Sequence, residues 1–150
     1  MFVDLQENNL FGSGRSARLK VDLAQEGSAY NISLTDPYFM DTRLAVTLNI
    51  YRDVLTRTID ANQITTGTST THDYDETKTG GSITVSYPIN QYLRASLQLQ
   101  HKTIKLDPAD EGYVIPAPLG PTDSQSNILT PGITYDSRDN IFWPTQGVRY

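Results

Sequence analysis

The stretch Leu93-Arg94-Ala95-Ser96-Leu97-Gln98-Leu99-Gln100 decides the fold. Apolar and polar residues alternate with a period of two, which sends the two sets to opposite faces of a β-strand. The same rhythm recurs along the chain. Ala17, Leu19, Val21 and Leu23 alternate with Arg18, Lys20 and Asp22, and Tyr30, Ile32 and Leu34 with Asn31, Ser33 and Thr35. Leu44, Val46, Leu48 and Ile50 face away from Thr47 and Asn49, and Ile83, Val85 and Tyr87 from Ser82, Thr84 and Ser86. Weaker versions stand at the ends: Val3 and Leu5 against Asp4 and Gln6, and Ile133 and Tyr135 against Thr134 and Asp136. No segment sustains a period of 3.6, so the chain reads as all-β.

At 150 residues the chain is long enough for one domain with a core. Hydrophobic residues make up 37%, and nowhere do they approach the run of about 18 that a membrane-crossing helix needs. A β-barrel is exempt, because only every second residue of its strands must be apolar. The formal net charge of −5 and the scattered basic residues argue against a nucleic-acid partner. With no cysteine there is neither a disulfide framework nor a thiolate site. Alternation begins directly after Met1, with no basic segment and apolar run of a signal peptide, and stops at Tyr150 just past a turn. We therefore expect residues 1–150 to be part of a longer barrel polypeptide.

The connections differ in kind. Tight turns are expected at Asn8–Ser16, with Gly12 and Gly14 suited to positive φ, at Asp36–Thr42, at Pro88-Ile89-Asn90, and at Asp139–Gly147. Gln25–Ser28 is a small loop. Long polar loops are expected from about Asp53 to Gly81 and over Asp107–Ser126, the latter holding Pro108, Pro116, Pro118 and Pro121. Tight turns on one edge and variable loops on the other is the asymmetry of an outer-membrane barrel. Phe11, Tyr38, Phe39, Tyr92, Phe142 and Trp143 sit in or beside the tight turns, where an interfacial girdle would lie. Ten residues at about 3.3 Å, tilted by about 45°, would cross about 23 Å of membrane. After His101 the apolar positions shift phase to Ile104 and Leu106, which suggests a bulge. The fold expected is an antiparallel meander of about seven strands forming part of a transmembrane β-barrel.

Four turn sequences carry a family resemblance. Glu7-Asn8-Asn9-Leu10-Phe11-Gly12-Ser13-Gly14, Thr35-Asp36-Pro37-Tyr38-Phe39, Tyr87-Pro88-Ile89-Asn90, and Tyr135-Asp136-Ser137-Arg138-Asp139-Asn140 leading into Pro144-Thr145-Gln146-Gly147, in this order and spacing, resemble the BamA-type outer-membrane assembly factor family. The resemblance implies a barrel of roughly sixteen strands preceded by periplasmic POTRA repeats, in the bacterial outer membrane. It implies that this chain holds roughly the second strand to the start of the ninth. The POTRA repeats, the C-terminal barrel half, the gate-closing strands and the inward loop with its arginine motif would then lie outside it. It also implies a role in inserting and folding β-barrel proteins, with outer-membrane lipid, client barrels and accessory assembly lipoproteins as partners.

The candidate sites have plainer readings beside them. Asp36–Phe39 could meet a periplasmic partner, but a proline-stopped turn with two interfacial aromatics accounts for it. Asp136, Arg138, Asp139 and Asn140 could order the lumen or receive another part of the barrel, or could form a turn held by local bonds. Arg18, Lys20, Asp22, Arg94 and Gln98 would line a lumen that is polar in any case. His72, Asp73, Asp75 and Glu76 lack the spacing and glycine of a calcium loop and read as a solvated loop. No nucleophile elbow or phosphate loop is present. We expect no enzyme activity, cofactor or metal. Two other functions remain open at this point: a passive channel or an anchoring or translocating barrel, and a soluble β-sandwich adhesion domain.

Overall fold

The computed structural model describes residues 1–60, 71–108, 122–140 and 142–150, with Ile59, Asp60, Thr71, His72 and Pro108 described by backbone alone. Seven strands follow one another: β1 (Phe2–Glu7), β2 (Ser16–Ala24), β3 (Gly27–Asp36), β4 (Ala45–Asp60), β5 (Thr71–Pro88), β6 (Leu93–Pro108) and β7 (Asp123–Tyr135). They form a single sheet in the order β1-β2-β3-β4-β5-β6-β7, every pair antiparallel. Two short 3₁₀ turns, Leu10–Gly12 and Phe39–Asp41, join β1 to β2 and β3 to β4.

The register sorts the sequence alternation into two faces. Leu34, Leu48, Ile83, Leu99 and Leu129 stand level across five strands on one face, and Asn49 lies opposite Ser82 and Ser33 on the other. The apolar face is uncovered. Ile50 and Leu129 are each 63% exposed and Ile133 73%, while among the described residues Tyr74 alone is a buried hydrophobic. A sandwich would lay a second sheet on that face; here the sheet is one layer whose apolar side needs an apolar solvent.

Two loop expectations are corrected. The segment expected to be loop from Asp53 to Gly81 is mostly strand, since β4 runs to Asp60 and β5 starts at Thr71. The Asp107–Ser126 loop likewise gives up both ends, because β6 reaches Pro108 and β7 begins at Asp123. Pro116, Pro118 and Pro121 lie outside the described residues. There is also no bulge after His101: pairing of β6 with both neighbours is continuous from Arg94 to Lys105. Ile104 and Leu106 are apolar on the inward face, while His101, Thr103 and Lys105 occupy the outward one. Sheet polarity inverts there without a register change, as expected where strands rise out of lipid into water.

Candidate functional site: two faces and a rim of tight turns

The boundaries of the apolar face run diagonally. At one edge the last apolar outward residue is Leu23 on β2 and Leu99 on β6. The register places Leu23 level with Ser28, Val54, Thr77 and Lys105, so the boundary drops by six residues (105 minus 99) over four strand spacings. That is about 20 Å along the strand for about 19 Å across, a tilt of about 45°. At the other edge the first apolar residue is Leu5 on β1 and Leu93 on β6. Leu5 is level with Leu19, Ile32, Ile50, Gly81 and His101, a drop of eight residues (101 minus 93) over five spacings. The slope is again about 45°, close to the 35–45° tilt of transmembrane barrel strands. Two parallel boundaries at the barrel tilt are what a level membrane cuts on a tilted sheet. From Leu93 to Leu99 the apolar stretch crosses roughly 15 Å of membrane normal, less than the 23 Å expected from ten-residue spans.

The opposite face is a polar trough of about 560 Å³, lined by residues such as Arg18, Lys20, Asp22, Asn31, Asn49 and Gln98. Arg18 pairs with Asp4 through two bonds of 2.8 and 2.5 Å. Tyr51 lies across Gly80, where an added Cβ would sit 2.7 Å from its hydroxyl, and accepts a bond from Gln100 at 3.2 Å. Of the sequence-read lumen set, Arg18, Lys20, Asp22 and Gln98 share this trough, whereas Arg94 lines a second hollow with Asp136, Arg138 and Arg149. Among the described residues, Asn49 Oδ1 is buried there without a partner.

The four tight turns share one edge, and each uses an Asn, Asp or Glu side chain to satisfy backbone N–H groups. Asn9 N–H donates to Glu7 at 2.9 Å and Gly14 N–H to Asn9 Oδ1 at 2.8 Å. Tyr38 N–H donates to Asp36 at 3.0 Å, and Tyr92 and Leu93 N–H to Asn90 Oδ1 at 2.8 and 2.9 Å. Pro88 ends β5, and Pro37 follows the end of β3, positions where a missing N–H costs no ladder bond. Asp36 also accepts from Arg15 Nε at 2.8 Å, tying the first turn to the second. Arg43 lies 5.8 Å from the Tyr87 ring, tying the second to the third. Gly12 and Gly14 take φ of 74° and 72°, and the 3₁₀ turns also hold Phe11, Met40 and Asp41 at 53°, 54° and 57°.

In the last turn Ser137 N–H donates to Val148 O and Tyr150 N–H to Tyr135 O, so residues after Gly147 begin to pair back on β7. Asp139 is its hub, accepting from the Thr145 hydroxyl and from the Thr145 and Gln146 amides at 3.0 and 3.1 Å. These bonds, led by the hydroxyl, hold its carboxyl down at about 2. Asn140 Oδ1 accepts from Phe142 and Trp143 N–H at 2.8 and 3.1 Å. Arg138 grips Asp136 through Nε and an Nη at 2.9 and 2.8 Å. Pro144 stands beside Thr145 in this loop, and Gly147 closes it at φ 98°. The aromatics gather on this rim, with Phe11 97%, Phe142 83%, Trp143 82% and Tyr38 67% exposed. Tyr92 and Tyr135 contact at 6.3 Å between ring centroids.

The acidic group expected in a solvated loop lies instead on strand β5 and is divided between its two faces. Asp73 and Asp75 take bonds from Thr58 and Thr56, while Glu76 pairs with Arg57 and Lys78 on the other face. His72's side chain lies outside the described residues. What sequence reasoning missed is the near identity of the first two turns. Leu10 N–H to Arg15 O matches Phe39 N–H to Leu44 O, and Ser13 Oγ to Leu10 O matches Thr42 Oγ1 to Phe39 O. The signal was present in a carboxylate followed six residues later by a hydroxyl, Glu7 to Ser13 and Asp36 to Thr42.

Comparisons agree with this geometry. The outer membrane protein assembly factor BamA of Neisseria meningitidis serogroup B is 28% identical over 158 residues, covering 98% of this chain and 19% of that protein. The crystal structure of BamA from Haemophilus ducreyi lacking POTRA domains 1–3 superimposes with a TM-score of 0.61 at 20% identity, over 97% of this chain and 29% of that one. The chain thus spans about a fifth of the neisserial protein. The Omp85 superfamily domain matches residues 9–150, and with that match over almost its whole length this chain belongs to the Omp85 superfamily, as part of a barrel wall in the bacterial outer membrane.

Proposed function

We propose that this wall belongs to an assembly factor that inserts and folds β-barrel proteins in the outer membrane, with client barrels and accessory assembly lipoproteins as its partners. The supporting observation is the similarity to the neisserial assembly factor BamA along 98% of the chain. The part played by these strands is mechanical. They supply a lipid-facing wall and a polar trough. Templating of client strands, if it follows the physics of strand addition, takes place at an open sheet edge.

Depleting the full-length parent protein in its own bacterium tests this. The proposal expects the level of other outer-membrane barrels to fall, and expects no steady conductance from the purified parent in planar bilayers. Steady conductance with unchanged barrel levels would instead establish the passive channel, for which the trough beside Arg18, Lys20 and Asp22 would serve as lining.

A further inference from the structure

β7 holds a proline in a place where a transmembrane strand has little room for one. Among the described prolines, Pro88 and Pro108 end their strands and Pro37 and Pro144 stand in turns, whereas Pro131 lies inside β7. Its outward neighbours on that strand are Leu129 and Ile133, both on the exposed apolar face, and it is level with Leu97 of β6. Pro131 is therefore within the apolar stretch, where lipid offers a backbone N–H or C=O no partner and the protein must supply one.

The parity of the ladder identifies the seam that loses a bond. Even-numbered residues at the ends of β7 face β6: Asp136 N–H donates to Tyr92 O, and Leu106 N–H to Thr122 O, each at 2.8 Å. On the other side Tyr135 and Tyr150 exchange both bonds, at 3.1 and 2.9 Å, and Ser137 N–H donates to Val148 O at 2.9 Å. Odd-numbered residues of β7 thus serve the strand that returns from Val148, and Pro131 is one of them. Carried on in this register, the residue four beyond Tyr150 (135 minus 131) turns its carbonyl to a ring nitrogen that has no hydrogen. The β6 side loses nothing, since its pairing with β7 is unbroken from Leu93–Tyr135 to Lys105–Asp123.

Gly132 adds a weakness on the inward face, because it has no side chain to pack across the seam; an added Cβ there would stand 2.6 Å from Ser96 Oγ. No other strand of the sheet has a proline inside it, so the six seams from β1 to β7 keep their ladder donors. We propose that Pro131 and Gly132 make the seam between β7 and the returning strand a yielding line in the barrel wall. The ladder opens first along this line, and water from the polar side reaches the bared carbonyl. The wall changes curvature there while β1 to β7 keep their register as one sheet. This device does not depend on whether the parent protein assembles barrels or conducts.

The test reads amide exchange residue by residue in the full-length parent, held in lipid nanodiscs and corrected for intrinsic rates. The amides of Leu129 and Ile133 face the yielding seam, while those of Leu99 and Ala95, level with them, face the β5–β6 seam. Leu129 and Ile133 should exchange at least about fivefold faster than Leu99 and Ala95, the factor that one net ladder bond represents. Pro131→Val restores the N–H, keeps the outward face apolar, and should slow Leu129 and Ile133 by about the same factor while leaving Leu99 and Ala95 unchanged. Equal protection of the two seams in the parent would overturn the proposal, as would fast exchange at Leu129 and Ile133 that persists in Pro131→Val. Should the valine variant fail to fold, Pro131→Ala restores the same donor with a smaller side chain and is read in the same way.

Discussion

Gly147 shows how tightly single residues fix this wall. Its φ of 98° lies where a side chain is strained, and an added Cβ would stand 2.2 Å from the Ser137 carbonyl oxygen. Gly147→Ala should therefore destabilise the last turn by about 2 kcal/mol or more, seen as a lower urea midpoint of the full-length barrel. Asp139 gives a pH signature in the same turn. Its folded carboxyl sits at about 2, below the ordinary 3.8, so its stabilising bonds are complete above about 4 and are lost as pH falls through about 2. Protection of the Thr145 and Gln146 amides, taken relative to their intrinsic exchange rates, should hold at pH 4 and fall towards pH 2, and Asp139→Asn should remove that dependence. Gly12, Gly14, Asn90 and Asp36 were legible from sequence as turn residues because their chemistry is local. The left-handed backbone of Phe11 and Met40 was not, although both fall within turns the sequence marks, since bulky residues at positive φ contradict every propensity and only the surrounding bonds hold them there.

At the scale of elements, the strands within the lipid band could be read almost residue by residue, because lipid enforces an apolar residue at every outward position. Beyond the band that rule lapses. Residues 53–60 and 71–81 looked like loop for want of apolar alternation, although their threonines are good strand formers. The apparent phase slip at Ile104 was a change of solvent on a continuous strand. The twin turns at Leu10–Gly12 and Phe39–Asp41 make an element-level prediction. Phe11→Gly should relieve left-handed strain and steady the β1–β2 turn by about 1 kcal/mol, measured as a raised urea midpoint. Arg15→Ala should cost under about 1 kcal/mol, since the Arg15–Asp36 pair is largely exposed on its arginine side. A rise after Arg15→Ala, or a fall after Phe11→Gly, would show that the rim is held by something other than these local bonds.

For the whole molecule, the central claim is that one membrane plane crosses the tilted sheet along the two apolar boundaries. Ile50 on β4 and His101 on β6 separate this from any reading in which the sheet alone sets burial, because they are level in register and on the same face. The tilt puts Ile50 within lipid and His101 above it. The decisive measurement places spin labels singly at positions 50 and 101 of the full-length barrel in liposomes and compares relaxation by oxygen, which partitions into lipid, with that by a water-soluble nickel chelate. The account predicts a label at 50 relaxed chiefly by oxygen and one at 101 chiefly by the chelate, with a label at inward Asn49 reached by the chelate. Equal accessibility at 50 and 101 would contradict it.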